Sequence, residues 1–72
     1  MNKPLVDTRG LVCPEPMLMV KRVLDGMNSG VMEVLADTAA ARENIKRLAQ
    51  SRGWRVEIGQ QGEDILLTLS RD

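Results

Sequence analysis

The chain predicts an α/β (α+β) domain: a two-layer sandwich with both helices on one face of a four-stranded mixed sheet. Three observations carry that prediction. Apolar spacing switches between a period of two and a period of three to four, in the order β-α-β-α-β-β. Each predicted strand pairs an apolar face with a polar one, as in a sheet covered on one side only. The 72 residues make one domain, residues 1–72, with no room for a second core.

Pro4 to Thr8 reads as a short strand closed by the turn-forming Gly10. From Pro14 to about Asn28 the pattern is helical. Met17, Val20, Val23, Leu24 and Met27 share one face; Glu15, Lys21, Arg22 and Asp25 share the other. Ser29-Gly30 is expected to end that helix. Val31 to Ala36 follows as a strand, with Met32, Val34 and Ala36 on one side and Glu33 on the other. Asp37 or Thr38 caps a second helix that runs to about Arg52, with a narrow stripe of Ala41, Ile45, Leu48 and Ala49, until Gly53 stops it. Trp54, Val56 and Ile58 alternate with Arg55 and Glu57 in a half-buried strand. Gln61-Gly62-Glu63 makes a turn, and Ile65, Leu67 and Leu69 alternate with Leu66, Thr68 and Ser70 in the last strand.

Trp54 is the only aromatic residue, so the core must be aliphatic. Ten basic and ten acidic residues cancel. That balance gives no basic surplus for neutralising phosphates, and direct nucleic-acid binding is not expected. No stretch has the length of a membrane span, and Met1-Asn2-Lys3-Pro4 lacks the apolar core of a signal peptide. With one cysteine there is no internal disulfide, and the expectation is a cytoplasmic protein whose thiol stays reduced.

That cysteine is Cys13, followed at once by Pro14-Glu15-Pro16 and the first helical run. A helix N-terminus carries about half a positive charge and unpaired N–H donors, so a thiolate there is favoured. Pro14 at the first helical position loses only a donor that would have been unpaired, and Pro16 in the first turn is tolerated for the same reason. The two prolines stiffen the helix start. A lone cysteine elsewhere would read as a small buried hydrophobe; here a turn on one side and a proline-led helix on the other point to exposure. The chain has no histidine, which excludes a Cys-His catalytic pair and ordinary zinc binding. A thiolate that only carries a group needs less: exposure, a lowered pKa and a partner that supplies the chemistry. No metal and no cofactor are expected.

The run Val6-Asp7-Thr8-Arg9-Gly10-Leu11-Val12-Cys13-Pro14-Glu15-Pro16 resembles the signature of the TusA/SirA/YedF family, in which Cys-Pro-x-Pro follows an Asp-x-Arg-Gly strand end. The likeness continues through Lys21, Asn28-Ser29-Gly30, the Val34-to-Asp37 strand end and Gly53. It implies a sandwich like the C-terminal domain of translation initiation factor 3. It also implies a sulfurtransferase role in which Cys13 carries a persulfide, taking sulfur from a cysteine desulfurase or other donor protein and passing it to a downstream acceptor protein. In family members that sulfur serves tRNA thiolation, sulfur oxidation or molybdenum-cofactor supply. Ala39-Ala40-Ala41-Arg42-Glu43-Asn44-Ile45 and Ile65-Leu66-Leu67-Thr68-Leu69 resemble the selenium-associated YedF-like branch, usually followed by a second domain that these 72 residues do not include. A regulatory protein-binding module is a reading from another class. Whether the chain is an enzyme in its own right or a substrate of its partners stays open.

Carried onto this chain, the supporting set around Cys13 is Asp7, Arg9, Gly10, Pro14, Glu15 and Pro16. Arg9 would lower the thiol pKa or screen a persulfide anion, with Asp7 orienting it; alternatively both residues only shape the strand end. Leu18 falls on the polar side of the first helix, one turn from the thiol, and suggests a docking contact with Met19 at its flank. Single exposed apolar residues are also ordinary. Lys21 and Arg22 are near enough for a small attraction to an acidic partner. Met17, Met27 and Met32 read as core filler. Val31, Leu35 and Leu66 form an apolar patch on the open sheet face.

Overall fold

A computed structural model describes residues 4–11 and 15–72. The order is β1 (Leu5–Asp7), α1 (Glu15–Asp25), β2 (Gly30–Ala36), α2 (Ala39–Ser51), β3 (Arg55–Gln61) and β4 (Asp64–Arg71). One sheet holds all four strands in the order β1-β2-β4-β3. β1 runs parallel to β2, while β4 is antiparallel to both β2 and β3, so the sheet is mixed as expected. The parallel pair needs a crossover, which α1 supplies.

Alternation along the strands decides what is buried. Met32, Val34 and Ala36 of β2 face the helices and stand opposite Leu69, Leu67 and Ile65 of β4. Val20 and Leu24 of α1 join Ala41, Ile45 and Ala49 of α2 over that layer, with Val6 and Trp54 completing one aliphatic core. Both helices therefore cover the same face. On the other face the expected patch is partly hidden already. Leu35 is buried between Asp7 and Leu66 in the register, and Val31 and Leu66 are half-buried.

Helix ends follow local chemistry. Thr38 caps α2, its side chain accepting from Ala41 N at 3.1 Å. At the other end Gly53 N donates to Gln50 O and Trp54 N to Ala49 O, at 3.1 and 3.0 Å. This pair is the Schellman pattern, and Gly53 takes the positive φ (+82°) that it requires. Trp54 then turns back into the core beside Ala49. α1 ends earlier than its apolar pattern predicts, at Asp25 and not near Asn28. Gly26 N and Met27 N instead donate to Val23 O and Leu24 O, each 3.1 Å, tightening the last turn. Met27 still packs on the core, which is why the periodicity overran the helix. Arg52 pairs with Asp25 and ties the C-terminal ends of the two helices together.

Ile58 is the exception to the strand pattern. It faces the helix side opposite Leu67, but β3 is an edge strand and Ile58 is 43% exposed beyond the helical cover. Two isoleucines thus separate burial from position. Ile45→Ala removes a fully buried side chain and is expected to cost about 2–5 kcal/mol, whereas Ile58→Ala should change stability by about 0.5 kcal/mol or less. Urea denaturation of both variants checks this; equal losses would contradict the core described above.

Candidate functional site

β1 has only three residues and pairs on one side only, yet the turn that follows it is heavily bonded. Thr8 is 1% exposed, the buried polar residue among those described. Its backbone N–H and its Oγ1 both donate to the carbonyl of Leu35, at 2.9 and 2.5 Å. Leu11 N donates back to Thr8 O at 3.3 Å and closes a four-residue turn. Gly10 occupies its third position with φ +79°, the region that a type II turn reserves for glycine. Gly10 N in turn donates to Asp37 Oδ2 at 2.9 Å.

Arg9 lies between two carboxylates. Nε and Nη2 donate to Oδ1 and Oδ2 of Asp7, both at 2.9 Å, and Nη1 donates to Asp64 Oδ2 at 2.9 Å. The Arg9 backbone N–H adds a bond to Asp7 Oδ1 at 3.0 Å. A planar guanidinium suits this two-sided fork better than an ammonium. The Arg9 side chain and backbone N–H hold the Asp7 carboxyl down at about 2, below its ordinary 3.8. Arg9 is itself pushed up, by its bonds to Asp7 first and Asp64 second. Among the described residues no three His, Cys, Asp or Glu side chains gather as a metal site.

Beyond the turn, Cys13 and Pro14 lie outside the described residues, as does Val12. The chain resumes at Glu15, exposed in the first turn of α1, and at Pro16, which is buried. Pro16 therefore packs as well as stiffening the helix start. Lys21 and Arg22 are exposed as expected. Two of the expected contacts on this helix, Leu18 and Met19, are half-buried. Met19 packs part of its side chain against the core, as Val23 does. Leu18 is half-buried and not fully exposed, since a helical leucine lies back over the turn preceding it.

The structure brings Asp7, Arg9 and Gly10 together at the end of β1. It adds three residues that sequence reasoning left out of the site: Thr8, Asp37 and Asp64. Asp37 and Thr38 are both good caps, and α2 uses only one of them. Asp64 is an acidic residue opening a strand, where aspartate is disfavoured.

The family model described as sulfurtransferase TusA matches residues 5–71. The chain belongs to the TusA family. A candidate sulfur carrier protein of Methanocaldococcus jannaschii is 39% identical over 59 residues, covering 81% of this chain and 79% of that one. Another from Archaeoglobus fulgidus is 33% identical over 63 residues, covering 86% and 82%. The crystal structure of a SirA-like protein from Desulfitobacterium hafniense superposes with a TM-score of 0.84 at 29% identity, over 92% of this chain and 93% of that one. In this TusA-family chain the Asp-x-Arg-Gly segment is thus a hydrogen-bonded turn tied to β2 and β4.

The Asp7–Arg9 pair carries a definite pH dependence. The folded-state value of about 2 lies below the ordinary 3.8, so the stabilisation is complete above about pH 4 and is lost as pH falls towards 2. Asp7→Asn should flatten the stability profile in that window and nowhere above it, and salt should shrink the difference. Urea midpoints measured from pH 2 to 6 check this; parallel profiles for parent and variant would contradict it.

Proposed function

We propose that this chain is a sulfur carrier of the TusA/SirA type, with Cys13 as the residue that holds the sulfur. One observation carries the reading. The family match spans both the bonded turn Thr8–Leu11 and α1, and Cys13 stands in sequence between them, two residues before Glu15. A cysteine on a short connection from an anchored turn to a helix N-terminus has the setting in which a thiolate is favoured.

The chemistry asks little of the carrier. The Cys13 thiolate attacks the outer sulfur of a persulfide on a donor protein such as a cysteine desulfurase. A new S–S bond forms, the donor's S–S bond breaks, and its electron pair leaves on the donor thiolate. An acceptor nucleophile then attacks the outer sulfur on Cys13, which departs as thiolate. Each step is an exchange at sulfur, so no outside oxidant or reductant enters. Donor and acceptor are proteins that dock at this end of the domain, with Leu18, Met19, Lys21 and Arg22 on α1 as contacts. The acceptor passes sulfur onward to tRNA thiolation or cofactor assembly. A reducing cytoplasm suits a thiol that must stay free. Among the described residues no helix is long and apolar enough to cross a membrane.

The test is an intact-mass spectrum after incubation with a cysteine desulfurase and cysteine, with Cys13→Ser alongside. The expected result is a gain of one sulfur atom, reversed by a thiol reductant and lost in the variant. A parent chain that gains nothing while Cys13 remains freely alkylated would contradict the reading.

A further inference from the structure

Arg9 is bonded to partners of two kinds. Asp7 is two residues away and moves with the turn, so that pair cannot by itself fix the turn against the rest of the protein. Asp64 is 55 residues away, at the start of β4, and its bond to Nη1 spans β2 in the strand order. Thr8 and Gly10 already hold the turn to Leu35 and Asp37, at β2 and just past its end, and Asp64 adds a tie to β4. β1 is a three-residue edge strand held by β2 alone. The β3–β4 hairpin, in contrast, has no evident use for the Asp64 carboxylate. Its two-residue connection is Gly62–Glu63, and Asp64 sits beyond it, opposite Gln61. Asp64 is also the more shielded acid of the pair, with 27% of its side chain exposed against 49% for Asp7.

We infer that Asp64 is a positioning residue for sulfur transfer, acting through Arg9 to hold the Thr8–Leu11 turn from which the chain runs to Cys13. The inference rests on the carrier reading above. Cys13 is four residues past Arg9, so their Cα atoms are no more than about 15 Å apart. A shift of the turn therefore moves the point from which the chain sets out towards Cys13. The role is mechanical, because two carboxylates already offset the charge of Arg9. Freeing Arg9 should misplace the thiol for a protein partner without changing its intrinsic reactivity.

The experiment compares Asp64→Asn and Asp64→Glu with the parent chain in three measurements: kcat/KM for loading by a cysteine desulfurase, the pH profile of alkylation by iodoacetamide, and thermal melting. Asp64→Asn is expected to lower kcat/KM by about fivefold, with the alkylation profile unmoved and Tm well above the assay temperature. Asp64→Glu should recover most of the loss. Unchanged loading in Asp64→Asn overturns the inference, as does a loss that follows the unfolded fraction. An alkylation profile shifted to lower pH also overturns it, since Arg9 would then act on the thiol by charge. Arg9→Gln combined with Asp64→Asn should load no worse than the worse single variant; additive losses would count against the tie. A parent chain that takes up no sulfur overturns the carrier reading and this inference together, whereas a parent that loads beside an unaffected Asp64→Asn overturns this inference alone.

Discussion

A buried hydroxyl must find a partner, and Thr8 finds it in the carbonyl of Leu35, to which its backbone N–H also donates. That double donation fixes the end of β1 against β2 at the point where the chain leaves the sheet. The rest of the site hangs on it. Once Thr8 is fixed, Gly10 N meets the Asp37 carboxylate just past the end of β2, and Arg9 extends over the strand end to Asp64. Three segments that are distant in sequence thus share one short turn. An edge strand of three residues would otherwise be among the first parts of the domain to fray.

The two-layer architecture explains why this end of the molecule is available. Helices cover one sheet face and build the aliphatic core from Met32, Val34, Leu67, Leu69, Val20 and Ile45. The described residues form two layers, one of helices and one of strands. Three polar devices close segments of the chain: a cap at Thr38, a Schellman closure at Gly53, and the cluster around Thr8 and Arg9. The first begins helix α2 and the second ends it. The third ends a strand and leads on towards Cys13, which accords with a domain that carries sulfur for partner proteins.

Most of the fold could be read from residue spacing, because in a two-layer domain burial follows periodicity directly. Met32 and Val34 against Glu33, and Leu67 and Leu69 against Thr68, declare their faces. Reading failed where tertiary position overrides spacing. The apolar pattern of α1 runs on to Met27, yet the helix ends at Asp25 because Met27 reaches the core from a tight turn. Ile58 has the strand pattern but sits on an edge strand and stays exposed. At the site, the Asp-x-Arg-Gly motif and Gly10 were legible as a local unit. Asp64 was not, since an ion pair across 55 residues leaves no periodic trace. Asp37 was visible only as a helix cap, and its bond to Gly10 depends on the parallel pairing of β1 with β2.

Amide hydrogen exchange at residues 8 to 11, followed by NMR at neutral pH, addresses the anchored turn most directly. Thr8 N–H and Gly10 N–H are bonded to Leu35 O and Asp37 Oδ2 and should exchange as slowly as the amides of β2. Asp37→Asn and Thr8→Val should each speed exchange across the turn while leaving α2 protected. Exchange of Thr8 and Gly10 at the rate of an unfolded peptide, in a protein whose core amides stay protected, would contradict the account. The turn would then be a loose leader to the cysteine and not its anchor.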